Sequence, residues 1–154
     1  MIQQTEIYSV VNRAARVLSD SVAWFQSLDP QMRRDIIDMI RYDQLFTKGI
    51  DEDGDILGLY SRATELISGG KKQEGDPYTL MDSGAFYRSI FILVNPDSFI
   101  IDGDTEKMEG EEWFLRNNLS PEKILGLTDE NMQKLIDKLR EKYVEYLTKI
   151  LYGT

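Results

Sequence analysis

The side chains available for chemistry in this chain are carboxylates, ammonium groups and hydroxyls, because it contains neither histidine nor cysteine. Without imidazole it lacks the usual proton carrier near neutral pH and cannot build a Ser-His-Asp or Cys-His pair. Without thiol it forms no disulfide, no thiolate nucleophile and no sulfur-ligated zinc site. Two Ser-x-x-Lys spacings, Ser68 to Lys71 and Ser120 to Lys123, match the serine–lysine arrangement of acyl-transferring hydrolases. The first lies in a glycine-rich stretch with no helix to hold lysine against serine, and the second spends its serine on a helix cap. The Ser-Asp-Asn and Lys-Thr-Gly companions are also missing. Gly69-Gly70-Lys71-Lys72 lacks the leading glycine and the following hydroxyl of a phosphate-cradling loop.

Carboxylates are abundant, and their spacing is what matters. Asp51-Glu52-Asp53-Gly54-Asp55 offers acids at alternate positions, as a hard cation requires. Its glycine falls at the fourth loop position where the sixth is needed, and Arg62 occupies the twelfth in place of a bidentate glutamate. The segment reads as an acidic turn. Asp102, Asp104, Glu106, Glu109, Glu111 and Glu112 read as a solvated acidic face. A glycosidase-type pair carries no weight where acids are this frequent. The expectation is therefore no catalytic residue, no metal and no cofactor.

With 18 basic and 27 acidic residues the formal charge is −9 and the pI near 4.6. No basic stretch exists to bind nucleic acid through phosphates, and an anionic membrane would repel the chain. The start has no basic region followed by an apolar one, and the longest apolar run, Ile90 to Val94, is far too short to span a bilayer. A soluble protein made in a cytoplasm is expected.

Positioning any site falls to elements that periodicity predicts. Ile7, Val11, Ala14, Leu18, Val22 and Phe25 recur at helical spacing, so an amphipathic helix runs to about Leu28. Asp29-Pro30 caps and starts a second helix, with Ile36, Ile37, Ile40 and Phe46 inward and Arg33, Arg34, Asp35, Asp38 and Arg41 outward. Gly49 ends it. A turn then leads into a strand over Ile56 to Tyr60, followed by a flexible glycine-rich loop from Ser68 to Asp76. Asp82 or Ser83 caps a short helix through Arg88, and two buried strands follow, Ile90 to Val94 and Ser98 to Ile101. Trp113-Phe114 anchor a short helix, and Ser120-Pro121 begin another. Thr128 caps a final helix whose stripe is Met132, Leu135, Ile136, Leu139, Tyr143, Leu147 and Ile150, with Lys138–Glu141, Lys142–Glu145 and Glu145–Lys149 pairing outside. The expected fold class is α+β, with long N- and C-terminal helices packed around a small antiparallel sheet. One domain covers 1–154: a helical leader to 48, a loop-and-sheet region over 49–104, and C-terminal helices from 105.

The middle of the chain has a recognisable order of motifs. A helix ends in Gln44-Leu45-Phe46, an Asp-x-Asp-Gly turn spans Asp51 to Gly54, and Gly58-Leu59-Tyr60-Ser61 follows with Thr64 after it. A loop of glycine and lysine then precedes Leu80-Met81-Asp82-Ser83-Gly84-Ala85-Phe86-Tyr87-Arg88-Ser89 and the strand pair. This progression resembles the tail-completion and virion-morphogenesis proteins of tailed bacteriophages, small components of the head–tail neck. The leader helices and the segment from Trp113 onward lie outside the resemblance.

The resemblance implies a structural virion protein without enzymatic activity. It would form a ring of identical subunits between head and tail, contacting portal or adaptor and tail proteins, and would be present in the host cytoplasm during assembly. It implies that Tyr60, Ser61, Thr64, Leu80, Asp82, Gly84 and Tyr87 shape the contact region. Lys71, Lys72 and Tyr78 would belong to the loop that a neighbour orders. Leu80 and Tyr87 suit core packing equally well, and Asp82 suits a helix cap. The alternative is a small acidic regulatory or inhibitor domain in the cytoplasm that covers a basic partner. A carboxylate enzyme using a divalent metal comes third.

Overall fold

The computed structural model describes residues 29–95, 98–108 and 121–152. The expected leader helix, the Trp113-Phe114 helix and the Ser120 cap lie outside the described residues. Helix α1 (Pro30–Asp38) starts where the sequence places it. The Asp29 carboxylate accepts from Met32 N at 2.8 Å, and Pro30 occupies the first turn, where no amide is required.

Beyond Asp38 the winding widens into a π-helix, Met39–Phe46, whose last bond runs from Thr47 N to Tyr42 O at 3.0 Å. An extra residue per turn makes the inward stripe slip. Ile36 and Ile40 are buried as expected, but Gln44 and Leu45 take the next inward positions, and Phe46 is 51% exposed where the plain helical period put it inside. Arg41 is corrected as well: it is half-buried, and its Nη2 donates to Ile90 O at 3.0 Å.

The π-helix turns Gln44 into a buried junction. Its Nε2 donates to Gly126 O at 2.9 Å, and its Oε1 accepts from Thr128 N and Asn131 Nδ2, both at 3.0 Å. Asn131 Nδ2 also reaches Met39 O at 3.2 Å. These bonds tie the helical N-terminal part to the start of the last helix. A buried polar group left unpaired costs about 1–3 kcal/mol, so the network makes this packing specific.

Gly49 leaves the helix at φ +61°, where a Cβ would stand 2.6 Å from both Pro77 Cβ and Tyr78 O. In the following turn Asp51 Oδ1 accepts from Asp53 N at 3.0 Å and Asp55 N at 2.9 Å. The strand expected over Ile56 to Tyr60 does not form. Isolated bridges, Ile50 with Ile56 and Leu59 with Pro77, flank Gly58, whose φ of +148° breaks the extended run. Helix α2 (Arg62–Ile67) comes next, capped by Ser61, whose Oγ accepts from Thr64 N at 3.2 Å.

Helix α3 (Ala85–Ser89) leads into the antiparallel hairpin of β1 (Phe91–Val94) and β2 (Phe99–Asp102). Its register pairs Phe91 with Asp102 and Leu93 with Ile100 on one face, and Ile92 with Ile101 and Val94 with Phe99 on the other. Only the second face packs inward, so the expected fully buried strands are half-buried. Phe91, Leu93 and Ile100 are each about half exposed. A 3₁₀ turn (Thr105–Lys107), helix α4 (Pro121–Leu125) and helix α5 (Asp129–Tyr152) complete the described chain. The fold is α+β, with helices around a two-stranded antiparallel sheet.

The core has two parts. The larger joins Ile40, Leu45, Tyr60, Tyr78, Leu80, Phe86, Tyr87 and Ile124, while the smaller joins Met32, Ile36, Met39 and Leu135. In α5 Leu135 is buried and Leu139 packs against it, whereas Met132 and Ile136 are each 42% exposed. Thr128 Oγ1 accepts from Asn131 N at 3.3 Å, and Lys142 pairs with Glu145 at 3.2 Å, both as expected. Lys138 pairs with Asp35 of α1 at 2.8 Å rather than with Glu141. Lys134 and Lys48 close on Glu130 at 2.8 and 2.9 Å, and their hydrogen bonds pull its carboxyl down to about 2.

Candidate functional site

Tyr60 and Tyr87, two of the expected contact residues, meet with Tyr78 in a knot of tyrosines around Thr79. Thr79 N donates to Tyr60 Oη at 3.1 Å, the two hydroxyls of Tyr60 and Thr79 lie 3.3 Å apart, and Tyr87 Oη donates to Thr79 O. The Tyr60 and Tyr78 rings meet edge to face with centroids 4.9 Å apart. Gly58 permits this: a Cβ there would collide with the Tyr78 ring. Leu80 holds φ at +55° with its side chain only 2% exposed, a left-handed backbone tolerated because the side chain is fully packed.

Outside the knot an open cleft of about 470 Å³ is lined by Tyr60, Lys71, Lys72 and Asp82 together with Phe46, Ile67 and Met81. Lys72 Nζ stands 5.2 Å from the Tyr60 ring centroid, in reach of a cation–π contact. The segment expected as a flexible loop is tied to α2. Ser68 Oγ donates to Glu65 O and accepts from Lys72 N, both at 3.1 Å, and Gly70 N reaches Glu65 O at 2.9 Å. Glu65 Oε2 accepts from Glu74 N at 2.9 Å, and Gly75 N donates to Tyr60 O at 3.0 Å.

The structure thus sorts nine of the expected contact residues into three groups, with Gly84 apart. Tyr60, Lys71, Lys72 and Asp82 face the cleft. Ser61 and Thr64 form the cap of α2, with their hydroxyls 3.0 Å apart. Tyr78, Leu80 and Tyr87 are core. Gly84 is the N-cap of α3 at φ +76°, and the side-chain acceptor there is Ser83, whose Oγ takes Ala85 N at 3.2 Å, so Asp82 is not the cap. Phe46, Ile67 and Met81 escaped the sequence reading. Ile67 is 84% exposed and its neighbour Leu66 73%, which periodicity does not reveal in a helix this short.

The carboxylates of Asp51, Asp53 and Asp55 lie within 4.8 Å of one another, but Asp51 is engaged by two amides and Asp53 pairs with Lys123, whose amine it pushes up. Among the described residues no helix is long and apolar enough to cross a membrane. No protein-family model, curated protein or solved structure matches the chain.

Proposed function

We propose that the chain is a structural, non-enzymatic subunit of a tailed-phage particle that assembles into a ring at the head–tail neck, against portal or adaptor and tail proteins. The motif order from Gln44 to Ser89 supports the family. The observation that carries the assembly role is the exposure of large apolar side chains in two patches with no residue in common. One is Phe46 and Ile67 in the cleft wall, with Leu66 exposed next in sequence; the other is Phe91, Leu93 and Ile100 on the outer face of the hairpin. Apolar surface gathered in patches marks sites of association, and a ring requires two different complementary patches on every subunit. Peptide mass spectrometry of purified tailed particles tests the reading. The chain is expected among the low-copy structural proteins, and particles that contain none of it refute the proposal.

A further inference from the structure

We propose that Asp102-Gly103, at the end of β2, is a site of spontaneous backbone modification, where the aspartate isomerises to isoaspartate. The chain holds two Asp-Gly dipeptides, Asp53-Gly54 and Asp102-Gly103. In such a pair the aspartate carboxyl and the following amide can close a five-membered ring, and glycine puts no Cβ in the way. The fold treats the two pairs differently. The Asp53 carboxylate is held by Lys123, and Gly54 N donates to Asp51 O at 3.1 Å, so both reacting groups are engaged elsewhere. At the second pair Gly103 N donates to Asp102 Oδ1 itself, at 2.7 Å, which holds the carboxyl group against the nitrogen that must attack it. Asp102 is also exposed, so water reaches it.

Gly103 N gives up its proton, and its electron pair forms a bond to Asp102 Cγ, whose hydroxyl leaves as water. The product is a cyclic imide. Water then opens the ring at either carbonyl: attack at the side-chain carbon restores aspartate, and attack at the main-chain carbon leaves the backbone running through Cγ. No atom is gained or lost overall, and water is the only co-reactant. The isomer lengthens the main chain by one methylene where there is little room for it. A Cβ on Gly103 would stand 3.2 Å from Ile90 Cγ1, Asp104 N donates to Ser89 Oγ at 3.0 Å, and Asp102 itself pairs with Phe91. Isomerisation therefore loosens the base of the hairpin from the end of α3.

The test ages the full chain in mildly acidic buffer made with water enriched in the heavy oxygen isotope, once folded and once in urea. Every ring opening adds one heavy oxygen, which tryptic digestion and tandem mass spectrometry assign to a residue. The ratio of labelling at Asp102 to labelling at Asp53 is expected to be about tenfold higher in the folded chain than in urea, with isoaspartate fragments at position 102. Asp102→Glu, an exposed change that cannot close the five-membered ring, is expected to stop labelling there and to leave the rate at Asp53 unchanged. A ratio that folding leaves unchanged or lowers, no label at Asp102 in the folded chain, or label that persists in Asp102→Glu overturns the assignment.

Discussion

Leu80 offers the sharpest test of the tyrosine knot, because it combines full burial with a backbone that favours glycine. A left-handed conformation costs an ordinary residue about 1–2 kcal/mol, and truncating a buried leucine costs about 2–5 kcal/mol. Leu80→Ala loses the packing and keeps the strain. Leu80→Gly loses the packing, with slightly more cavity, but sheds the strain. Its looser unfolded chain returns about 0.5–1 kcal/mol of that relief. The net expectation is that Leu80→Gly is the more stable variant, by about 0.5–1 kcal/mol, with both well below wild type. Urea unfolding reads this as a midpoint higher for glycine than for alanine by about half a molar at unchanged slope. Ala63→Gly in α2 is the control, where the usual order holds and glycine costs about 1 kcal/mol. Equal midpoints at position 80, or a higher one for alanine, refute the reasoning.

Other expectations follow from the same geometry. Gln44→Leu strands Thr128 N, Gly126 O and part of Asn131 inside the junction, and a loss of about 2–4 kcal/mol in thermal unfolding is expected; a change under about 0.5 kcal/mol contradicts the network. Gly58→Ala forces a side chain against the Tyr78 ring at a positive φ, and a loss of about 2–3 kcal/mol by the same assay is expected. Glu130 and Asp35 have folded carboxyl values below their ordinary 4.5 and 3.8, Glu130 through hydrogen bonds from Lys134 one turn on in α5 and from Lys48 just past the π-helix, and Asp35 through Lys138, which ties α1 to α5. Groups lowered in this way stabilise the fold fully above the ordinary value and lose that contribution as pH falls through the folded one. The Glu130 contribution therefore fades between 4.5 and about 2. A carboxyl-carbon NMR titration is expected to place Glu130 near the lower figure, and a midpoint at 4.5 contradicts its bonds to Lys134 and Lys48.

Much of the fold is legible because its signals are local. Asp29-Pro30, Gly49 and Thr128 act within one turn of themselves, and the hairpin follows from two β-rich runs separated by turn residues. The π-helix is illegible for the opposite reason. It is favoured by bonds from Gln44 to groups more than 80 positions away, which no periodicity within the segment encodes. The strand over Ile56 to Tyr60 fails because Gly58 yields to the Tyr78 ring, a contact 20 residues distant. Apolar residues on both faces of β1 read as burial on both sides, yet only one face has a partner in the core, so Phe91 and Leu93 emerge as surface. The cleft was half visible: its polar lining came from motif order, while Phe46 was hidden by the change in helical winding and Ile67 by the brevity of α2.

Self-assembly is tested most directly by light scattering on the purified full chain over about a hundredfold range of concentration, alone and with the portal of the same particle. The expected result is a rise from the 17.8 kDa subunit to one discrete multiple that no longer grows, as a closed ring requires. A mass that stays at 17.8 kDa under every condition, portal included, contradicts it.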